Sequence, residues 1–340
     1  MRKLLVTIAF CAGSMGILPA PAPALCQSIV KTMVVAHAGG AAYHVHNTRS
    51  AILHALDMKA DIIEFDVQDT KDHIPVLHHD FVLQPDEAQQ NRHWLDKRTT
   101  FIRNMTFAEL SNYSIGQSRS GSPSDKPYPF RKNQEQETII SLDNALELIS
   151  KSPNNPQVFV EVKSALDLPA GYPAETLAID ILKIIHQHAA KDKISIISFD
   201  WKLLHLIHTI DPTQKTVYIF RDPLVYAREF ANDMRGLGID ITSLTPQKII
   251  DRLTDGFGPV SNYSLYADYI KKQGGWMLDA YKDDATLPLV SQAQKIGLKT
   301  GVWTVDTLTE TSKAVALGIN AITTNYPDVI VAALRPSSAQ

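Results

Sequence analysis

The sequence predicts an α/β fold of the TIM (β/α)8 barrel class, with an extended insertion after the third strand. From Met33 onward, short apolar runs rich in Val and Ile alternate with longer amphipathic stretches, which is typical of βα units around a parallel sheet. Several of these runs contain polar and charged residues, and a barrel would bring these residues together at one of its ends. About 310 residues follow an N-terminal leader, enough for the core of one large domain.

Residues 1–26 are predicted to be a secretory signal peptide. Arg2 and Lys3 form a positive start, a mostly apolar stretch runs from Leu4 to Leu18, and small residues before Cys26 suit cleavage. The apolar stretch is shorter than the roughly 20 residues that span a bilayer. We therefore expect an exported protein, periplasmic or secreted, with one barrel domain at residues 27–340 and no transmembrane segment in the mature chain.

Cysteine content and charge argue against a disulfide-stabilised protein and against a nucleic-acid-binding protein. Cys11 and Cys26 lie in or at the edge of the leader, so the mature chain is expected to have no disulfide if cleavage removes both. The leader contains two of the 33 basic residues and none of the 36 acidic ones, which leaves a net charge of −5 with histidines neutral. This balance argues against a nucleic-acid partner, because such proteins usually have a basic face.

Nine apolar runs are candidate strands, one more than the barrel needs. The run near Trp276 is only weakly apolar, so we expect that run to be peripheral. The candidates begin at Met33, Ile62, Pro75, Val158, Ile194, Thr216, Trp276, Lys299 and Ala321.

Helices are predicted between the strands at residues 48–59, 142–150, 174–188, 201–210, 287–296 and 307–317. Thr106 with Glu109 and Thr307 with Glu310 have the spacing of capping boxes. Between the third and fourth runs, residues 84–103 are polar and residues 118–137 have almost no apolar periodicity, which is typical of a loop. On the active-site face of a barrel this loop either shapes substrate entry or is a decoration.

Residues 34–80 contain seven of the chain's twelve histidines. His37 follows the first apolar run and His79 follows the third. Glu64 and Asp66 lie two residues apart on the second run, so their side chains share one face of a strand. Two imidazoles beside two carboxylates indicate metal-assisted acid–base chemistry.

A fourth strand adds a carboxylate and a cation to this set. Glu161 and Lys163 lie two apart on the run that begins at Val158. Together with Glu64 and Asp66, Glu161 would give three hard oxygen ligands suited to one divalent cation, Ca²⁺ or Mg²⁺. A single Glu-x-Asp on a strand could equally be a structural ion pair, so the prediction depends on the combination.

These residues resemble the glycerophosphodiester phosphodiesterases of the phosphatidylinositol-phospholipase-C-like TIM-barrel superfamily. The spacings match as well, with 27 residues from His37 to Glu64 and 13 from Asp66 to His79. The resemblance covers nearly all of the chain after the leader and rests on VVAHAGG, Asn47-Thr48, IIEFDVQDTKD, His79-Asp80, VEVK, Ser198-Phe199, WTVD at 303–306 and ITTNYPD.

The resemblance implies hydrolysis of a glycerophosphodiester to glycerol 3-phosphate and an alcohol, with the cation held by the three carboxylates. Lys163 would bind the phosphate, and His37 and His79 would divide the general acid and base roles. Which histidine is the acid stays open, as does whether water or the neighbouring glycerol hydroxyl attacks. Phe199 and Trp303 either line the substrate pocket or pack in the core. The expected partner is a small glycerophosphodiester or a lysolipid headgroup.

The chain departs from the family pattern at three places. It has His37-Ala38-Gly39 where His-Arg-Gly is usual, His46-Asn47-Thr48 where Glu-Asn-Thr is usual, and Thr324-Asn325-Tyr326-Pro327 where Thr-Asp-x-Pro is usual. Losing a positive and a negative residue together resembles the removal of one ion pair. Arg49, or His46 if protonated, could partly replace the lost charge.

Two alternative functions remain open from the sequence. A phospholipase-D-like activity on lysophospholipids or sphingolipids would use the same site and would be favoured by an apolar rim at the barrel mouth. A pseudoenzyme that binds phosphodiesters without turnover is suggested by the missing arginine. A zinc hydrolase of the amidohydrolase type, suggested by His44-x-His46, would need histidines on later strands, and none occurs after His208.

Overall fold

Eight parallel strands form a closed barrel in the computed structural model, which describes residues 31–164, 174–238, 240–242 and 244–335. The last strand pairs with the first, with Met33 opposite Ala321, so the sheet has no free edge. The predicted fold class is confirmed, whereas the predicted signal peptide lies outside the described residues. The strands are β1 Met33–Ala36, β2 Ile62–Gln68, β3 Gln157–Val162, β4 Ile194–Ser198, β5 Lys215–Phe220, β6 Met277–Tyr281, β7 Lys299–Trp303 and β8 Ala321–Thr324.

Helices surround the barrel, and the six predicted ones are confirmed to within about two residues at each end. No helix in the described ranges is long and apolar enough to cross a membrane. The helices are α1 Arg49–Asp57, α2 Phe107–Leu110, α3 Leu142–Ser150, α4 Ala174–Gln187, α5 Trp201–Ile210, α6 Pro223–Gly236, α7 Pro246–Leu253, α8 Ser264–Lys272, α9 Leu287–Lys295, α10 Leu308–Ala316 and α11 Pro327–Leu334.

One predicted capping box forms completely and the other only in part. The Thr106 hydroxyl accepts from the Glu109 N–H at 3.2 Å, and the Glu109 carboxylate accepts from the Thr106 N–H at 2.8 Å. The Thr307 hydroxyl likewise accepts from the Glu310 N–H at 3.2 Å. The Glu310 carboxylate, however, accepts the Asp306 N–H at 3.3 Å instead of the Thr307 N–H, through Oε2. Its other oxygen pairs with Lys282 Nζ at 2.5 Å.

The prediction that the run near Trp276 is peripheral was wrong. That run is the barrel strand β6, which pairs with both β5 and β7. The extra strand is Val76–Leu77, which pairs antiparallel with the end of β2. The apolar signal of β6 is weak because the strand contains Asp279, a carboxyl group that is buried inside the fold.

The insertion between β2 and β3 has a small structure of its own. It follows the third apolar run, as predicted, and contains a three-stranded antiparallel sheet of the segments Gln89–Gln90, His93–Trp94 and Tyr113–Ser114. Two-residue strands leave no periodic signal in a sequence. A separate apolar cluster packs beneath them, formed by Val76, Leu83, Ala88, Ile102, Met105, Leu110, Ile115 and Ile139.

Candidate active site

Strand periodicity places the three predicted carboxylates inside the barrel. Ile62 and Phe159 belong to an apolar cluster that fills the barrel interior. Side chains two apart on a strand share a face, so Glu64 and Asp66 on β2 and Glu161 on β3 also point inward. Asp66 and Glu161 lie directly opposite each other in the parallel pairing of these strands. The strands thus deliver three acids to the carboxyl end of the barrel, where TIM barrels have their active sites.

The three carboxylates form a buried cluster with more negative than positive charge. One oxygen each of Glu64, Asp66 and Glu161 lies within 4.8 Å of the others. Lys163 Nζ is 2.8 Å from Asp66 Oδ1 and 2.5 Å from Glu161 Oε1. Burial, together with the charges of Asp66 and Glu161, raises the pKa of Glu64 well above its usual range. Burial also acts to raise the pKa of Asp66, but Lys163 and His79 more than offset it and hold that pKa low.

The cluster has the chemistry of a cation site. Glu64 Oε2 accepts the Ala38 N–H at 2.7 Å, whereas Glu64 Oε1 is buried with no hydrogen-bond partner among the described residues. A buried carboxylate oxygen without a partner is costly unless a cation or a proton neutralises it. Hard oxygen ligands from three carboxylates suit Ca²⁺ or Mg²⁺. The residues therefore fit the predicted divalent cation.

Asn47 fixes the orientation of Asp66. Its side-chain amide donates to Asp66 Oδ2 at 2.7 Å, and its side-chain carbonyl accepts the Asp66 N–H at 2.9 Å. The next residue, Thr48, begins α1 by accepting the Ala51 N–H at 3.2 Å. The Asn-Thr pair thus connects the loop after β1 to the carboxylate cluster and to the first helix.

His37 is oriented by a hydrogen-bond chain from β8. Its Nδ1 lies 2.7 Å from Asn325 Oδ1. Asn325 donates to Asp306 Oδ2 through Nδ2 at 2.8 Å and to Asp306 Oδ1 through its backbone N–H at 2.8 Å. Because the Asn325 amide nitrogen is engaged by a carboxylate, its oxygen faces His37 and accepts from Nδ1–H. The lone pair of neutral His37 is therefore on Nε2.

His79 is held on a loop that Gln68 fixes at the end of β2. Gln68 Nε2 donates to the carbonyl oxygens of His78 and His79, each at 3.0 Å. His78 is buried, and its Nδ1 lies 2.8 Å from the Asp80 carbonyl oxygen, so it packs beneath the loop. His79 instead remains half-exposed, with Nδ1 2.8 Å from Asp80 Oδ1.

The charges around His79 favour its protonated form. Lys163 and burial lower its pKa, but the carboxylates of Asp66 and Asp80 outweigh both and leave the pKa raised. Asp80 is itself oriented by Gln84, whose amide donates to Asp80 Oδ2 at 2.9 Å. An imidazole with a raised pKa is more often protonated at neutral pH, and so more often has a proton available to donate.

A cavity of about 700 Å³ opens beside this cluster. It is lined by five of the predicted site residues, namely His79, Glu161, Lys163, Phe199 and Trp303. The ring of Phe199 stacks on Tyr226 of α6 at 4.3 Å and meets the edge of Trp303 at 5.4 Å. Phe199 and Trp303 are partly exposed, so they line the cavity as well as pack.

Several residues at the site were missed by sequence reasoning. Asp279 lies inside the barrel, and burial, followed by the charge of Glu161, raises its pKa to about 8. Asp279 was not predicted as a site residue because the run that contains it was interpreted as peripheral. Tyr226 lies on α6, which was not predicted, and Asn325 was noted only as a departure from a motif. Asp279 and Tyr281 lie two residues apart on β6, as Glu64 and Asp66 do on β2, and this shared spacing could have revealed Asp279.

Neither residue suggested as a partial replacement for the arginine lines the active-site cavity. Arg49 is exposed on α1. Burial, together with the charge of Arg131, lowers the pKa of His46 to about 3, which disfavours the protonated form that the suggestion required. Arg131 of the insertion contacts the loop between β1 and α1, where its guanidinium donates to the Ala41 carbonyl oxygen at 3.0 and 3.2 Å.

The fold and the site together define a TIM-barrel enzyme with an acidic, histidine-flanked site at the carboxyl ends of its strands. The model of the glycerophosphoryl diester phosphodiesterase family matches residues 37–329. The chain belongs to this family, and its predicted class, a phosphoric diester hydrolase, is confirmed at that level.

Individual relatives have low sequence identity to this chain but align with most of its length. A glycerophosphodiester phosphodiesterase from Caldanaerobacter subterraneus subsp. tengcongensis is 23% identical over 90% of this chain and 99% of its own length. A solved structure from Silicibacter pomeroyi has a TM-score of 0.73 at 22% identity, covering 89% of this chain and 93% of that one. A phosphodiesterase from Oleispira antarctica, in complex with the product sn-glycerol-3-phosphate, has a TM-score of 0.63 at 20% identity, covering 89% and 96%. These likenesses support the fold.

Proposed function

We propose that this protein hydrolyses glycerophosphodiesters to glycerol 3-phosphate and an alcohol, with one divalent cation, Ca²⁺ or Mg²⁺, as cofactor. The observation that carries the proposal is the buried cluster of Glu64, Asp66 and Glu161 around Lys163, with His79 beside it. The product bound to the related phosphodiesterase from Oleispira antarctica supports the same substrate class.

The charged residues suit a phosphodiester anion. Glu64, Asp66 and Glu161 would hold the cation, which when bound neutralises phosphate charge and polarises the phosphorus–oxygen bonds. Lys163 is fixed by two carboxylates and lines the cavity. Its pKa is raised because the attraction of Asp66 and Glu161 outweighs burial, so it stays protonated and attracts the phosphate.

The two histidines have different environments, and we assign them different roles. His37 has its proton on Nδ1, so Nε2 accepts the proton of the attacking water or glycerol hydroxyl as that oxygen bonds to phosphorus. His79 has a raised pKa and donates a proton to the leaving alcohol oxygen as the other phosphorus–oxygen bond breaks. Asn325 and Asp80 orient the two rings through their Nδ1 atoms.

A second candidate substrate is a lysophospholipid, cleaved at the same site. The specific observation is a set of apolar residues, called here the apolar wall, that lines the same cavity as His79, Glu161 and Lys163. Its members come from the insertion, from the end of β4, from α6 and from β7, and include Phe81, Phe199, Tyr226, Phe230, Met234, Leu237 and Trp303. Such a wall could accommodate an acyl chain or the methylene groups of a small headgroup.

Hydrolysis assays on the purified protein test both candidates. The substrates are glycerophosphocholine, glycerophosphoethanolamine and lysophosphatidylcholine, each with EDTA, Ca²⁺ or Mg²⁺. We expect cation-dependent release of glycerol 3-phosphate, lost in His79→Ala and retained in His93→Ala, a matched control on the exposed sheet of the insertion. Turnover of the lipid alone would favour the second candidate. Binding without turnover by a folded protein would indicate the pseudoenzyme.

We also propose that the protein is exported and acts in the periplasm or outside the cell. The basis is the positively charged, then apolar, then small-residue pattern of residues 1–26. Mass spectrometry of the protein recovered from the periplasm or medium should show a chain that begins near residue 25 or 27. Recovery of the uncleaved chain from the cytoplasm would contradict this proposal.

A further inference from the structure

A second cluster of metal-ligating residues lies outside the active site. Asp69 directly follows β2, His73 lies four residues further along the same segment, and Asp180 lies on α4. One ligand atom from each lies within 4.8 Å of the others. The cluster therefore joins the segment after β2 to a helix on the outside of the barrel.

Two carboxylate oxygens in this cluster have no hydrogen-bond partner among the described residues. Asp69 is only 4% exposed, and its Oδ1 accepts the Thr70 N–H at 2.9 Å. Its Oδ2 is buried without such a partner, and so is Oδ2 of Asp180. Both of these oxygens face Nδ1 of His73, at 3.3 Å from Asp69 and 3.4 Å from Asp180. The other oxygen of Asp180, Oδ1, pairs with Lys183 Nζ at 3.1 Å. A buried carboxylate oxygen aimed into the cluster is costly unless a cation or a proton neutralises it.

The two distances to His73 are longer than those of direct histidine–aspartate hydrogen bonds in this protein and equal those between neighbouring ligands of a tetrahedral Zn²⁺ ion. Direct histidine–aspartate pairs elsewhere in the protein are shorter, at 2.7 Å for His186 with Asp211 and 3.0 Å for His188 with Asp143. Ligand atoms bound at about 2.0–2.1 Å around a tetrahedral Zn²⁺ are about 3.3–3.4 Å apart. The separations at His73 match that arrangement.

We propose that Asp69, His73 and Asp180 bind a Zn²⁺ ion, separate from the active-site cation. An imidazole ligand favours Zn²⁺ over Ca²⁺ or Mg²⁺, which prefer oxygen ligands alone. The ion neutralises the two carboxylates and cross-links the segment after β2 to α4. Its role is structural, because none of the three residues lines the active-site cavity.

Zn²⁺ titration of the chelator-stripped protein tests the site. The Glu64→Gln background weakens the active-site cluster, so that the remaining Zn²⁺ binding reports the second cluster. In this background we expect one Zn²⁺ per chain by calorimetry. Adding His73→Ala is expected to weaken binding at least about tenfold, since one of three protein ligands is removed. Asp180→Asn, at a partly exposed position, is expected to weaken binding similarly.

His186→Ala is the matched control, because His186 is 46% exposed, His73 is 47% exposed, and both contact aspartate. We expect His186→Ala to leave Zn²⁺ affinity unchanged and to keep the rise in Tm that Zn²⁺ produces, whereas His73→Ala loses that rise. Absence of stoichiometric Zn²⁺ binding in the background would overturn the proposal. Equal affinity in His73→Ala and His186→Ala would overturn it as well. Neither outcome depends on catalytic activity.

Discussion

Replacing Glu64 by Gln is expected to stabilise the cation-free protein and to abolish its response to Ca²⁺ or Mg²⁺. The ligand oxygens of Glu64, Asp66 and Glu161 are at most 4.8 Å apart. At an effective dielectric constant of about 20, each ionised pair at that distance repels by at least about 3 kcal/mol. Glu64 faces two such partners, and Lys163 offsets part of the repulsion. We therefore expect a gain of about 3 kcal/mol in the free energy of unfolding.

The pH dependence of this gain has a definite sign. The pKa of Glu64 in the folded protein is raised, mainly by burial and then by Asp66 and Glu161. An acid with a raised folded-state pKa is not destabilising below its ordinary pKa near 4.3, where it is protonated in both states. The destabilisation grows as the pH rises above that value. The advantage of Glu64→Gln should therefore be small near pH 4 and largest at neutral or alkaline pH.

Urea and thermal unfolding in EDTA measure the gain, and the same scans with added Ca²⁺ or Mg²⁺ measure the cation response. For a chain of this size, about 3 kcal/mol corresponds to a rise in Tm of about 3–8 °C. Glu147→Gln is a suitable control, because Glu147 is exposed on α3 and pairs only with Lys151 in the described part of the chain. Its effect on the free energy of unfolding should be far smaller than that of Glu64→Gln, because an exposed ion pair contributes little to stability.

Two results would refute this reasoning. A Glu64→Gln variant less stable than the wild type in EDTA would show that the three carboxylates do not repel one another in the folded state. A variant whose Tm still rises with Ca²⁺ or Mg²⁺ as much as that of the wild type would show that the cation binds elsewhere. Loss of activity alone would not separate these possibilities, because Glu64 also accepts the Ala38 N–H.

Three further variants test other parts of the site. Asn325→Ala removes the acceptor for His37 Nδ1, so kcat on glycerophosphocholine should fall about 10- to 100-fold with little change in KM; an unchanged kcat would contradict the tautomer argument. Burial raises the pKa of Asp279 to about 8, so its destabilising effect is absent below about pH 4 and grows towards pH 8. We expect the free energy of unfolding of Asp279→Asn, measured by urea unfolding in EDTA, to rise relative to the wild type by up to about 1.4 kcal/mol per pH unit between about pH 4 and pH 8. A difference between the two proteins that does not change with pH would refute this. Tyr226→Ala removes a ring stacked on Phe199, so kcat/KM should fall severalfold more for lysophosphatidylcholine than for glycerophosphocholine; equal losses would exclude contact between this wall and an acyl chain.

The carboxylate cluster could be predicted from the sequence because it depends on strand periodicity. Glu64 and Asp66 share a face by their spacing, and parallel neighbouring strands align Asp66 with Glu161. The same rule failed at β6, because Asp279 interrupts the apolar run by which a strand is recognised. β2 was recognised although it also contributes acids to the interior, because its seven residues include four Ile, Phe or Val residues. The five residues of β6, Met277–Tyr281, include none of these, so one acid hides the strand.

The orienting groups could not be predicted, because they depend on contacts between distant parts of the chain. Asn325 is 288 residues from His37, and no local pattern indicates that the two side chains meet. Arg131 lies in a stretch without periodicity, yet its guanidinium contacts a carbonyl oxygen 90 residues away. Such contacts form only when the barrel closes and the insertion folds. They occur at no regular residue spacing, so they cannot be predicted from the sequence.

Ala38, at the position where the sequence motif led us to expect arginine, contributes to the site through its backbone alone. Ala38 contributes no side-chain charge, but its backbone N–H still donates to Glu64. The turn that presents this N–H has Ala38 at a φ of 46°, and Arg131 holds the nearby Ala41 carbonyl oxygen. Position 38 therefore contacts a carboxylate without supplying a cation. Under the proposed function, the bound divalent ion and Lys163 must then neutralise the phosphate and carboxylate charge without a cationic side chain at position 38.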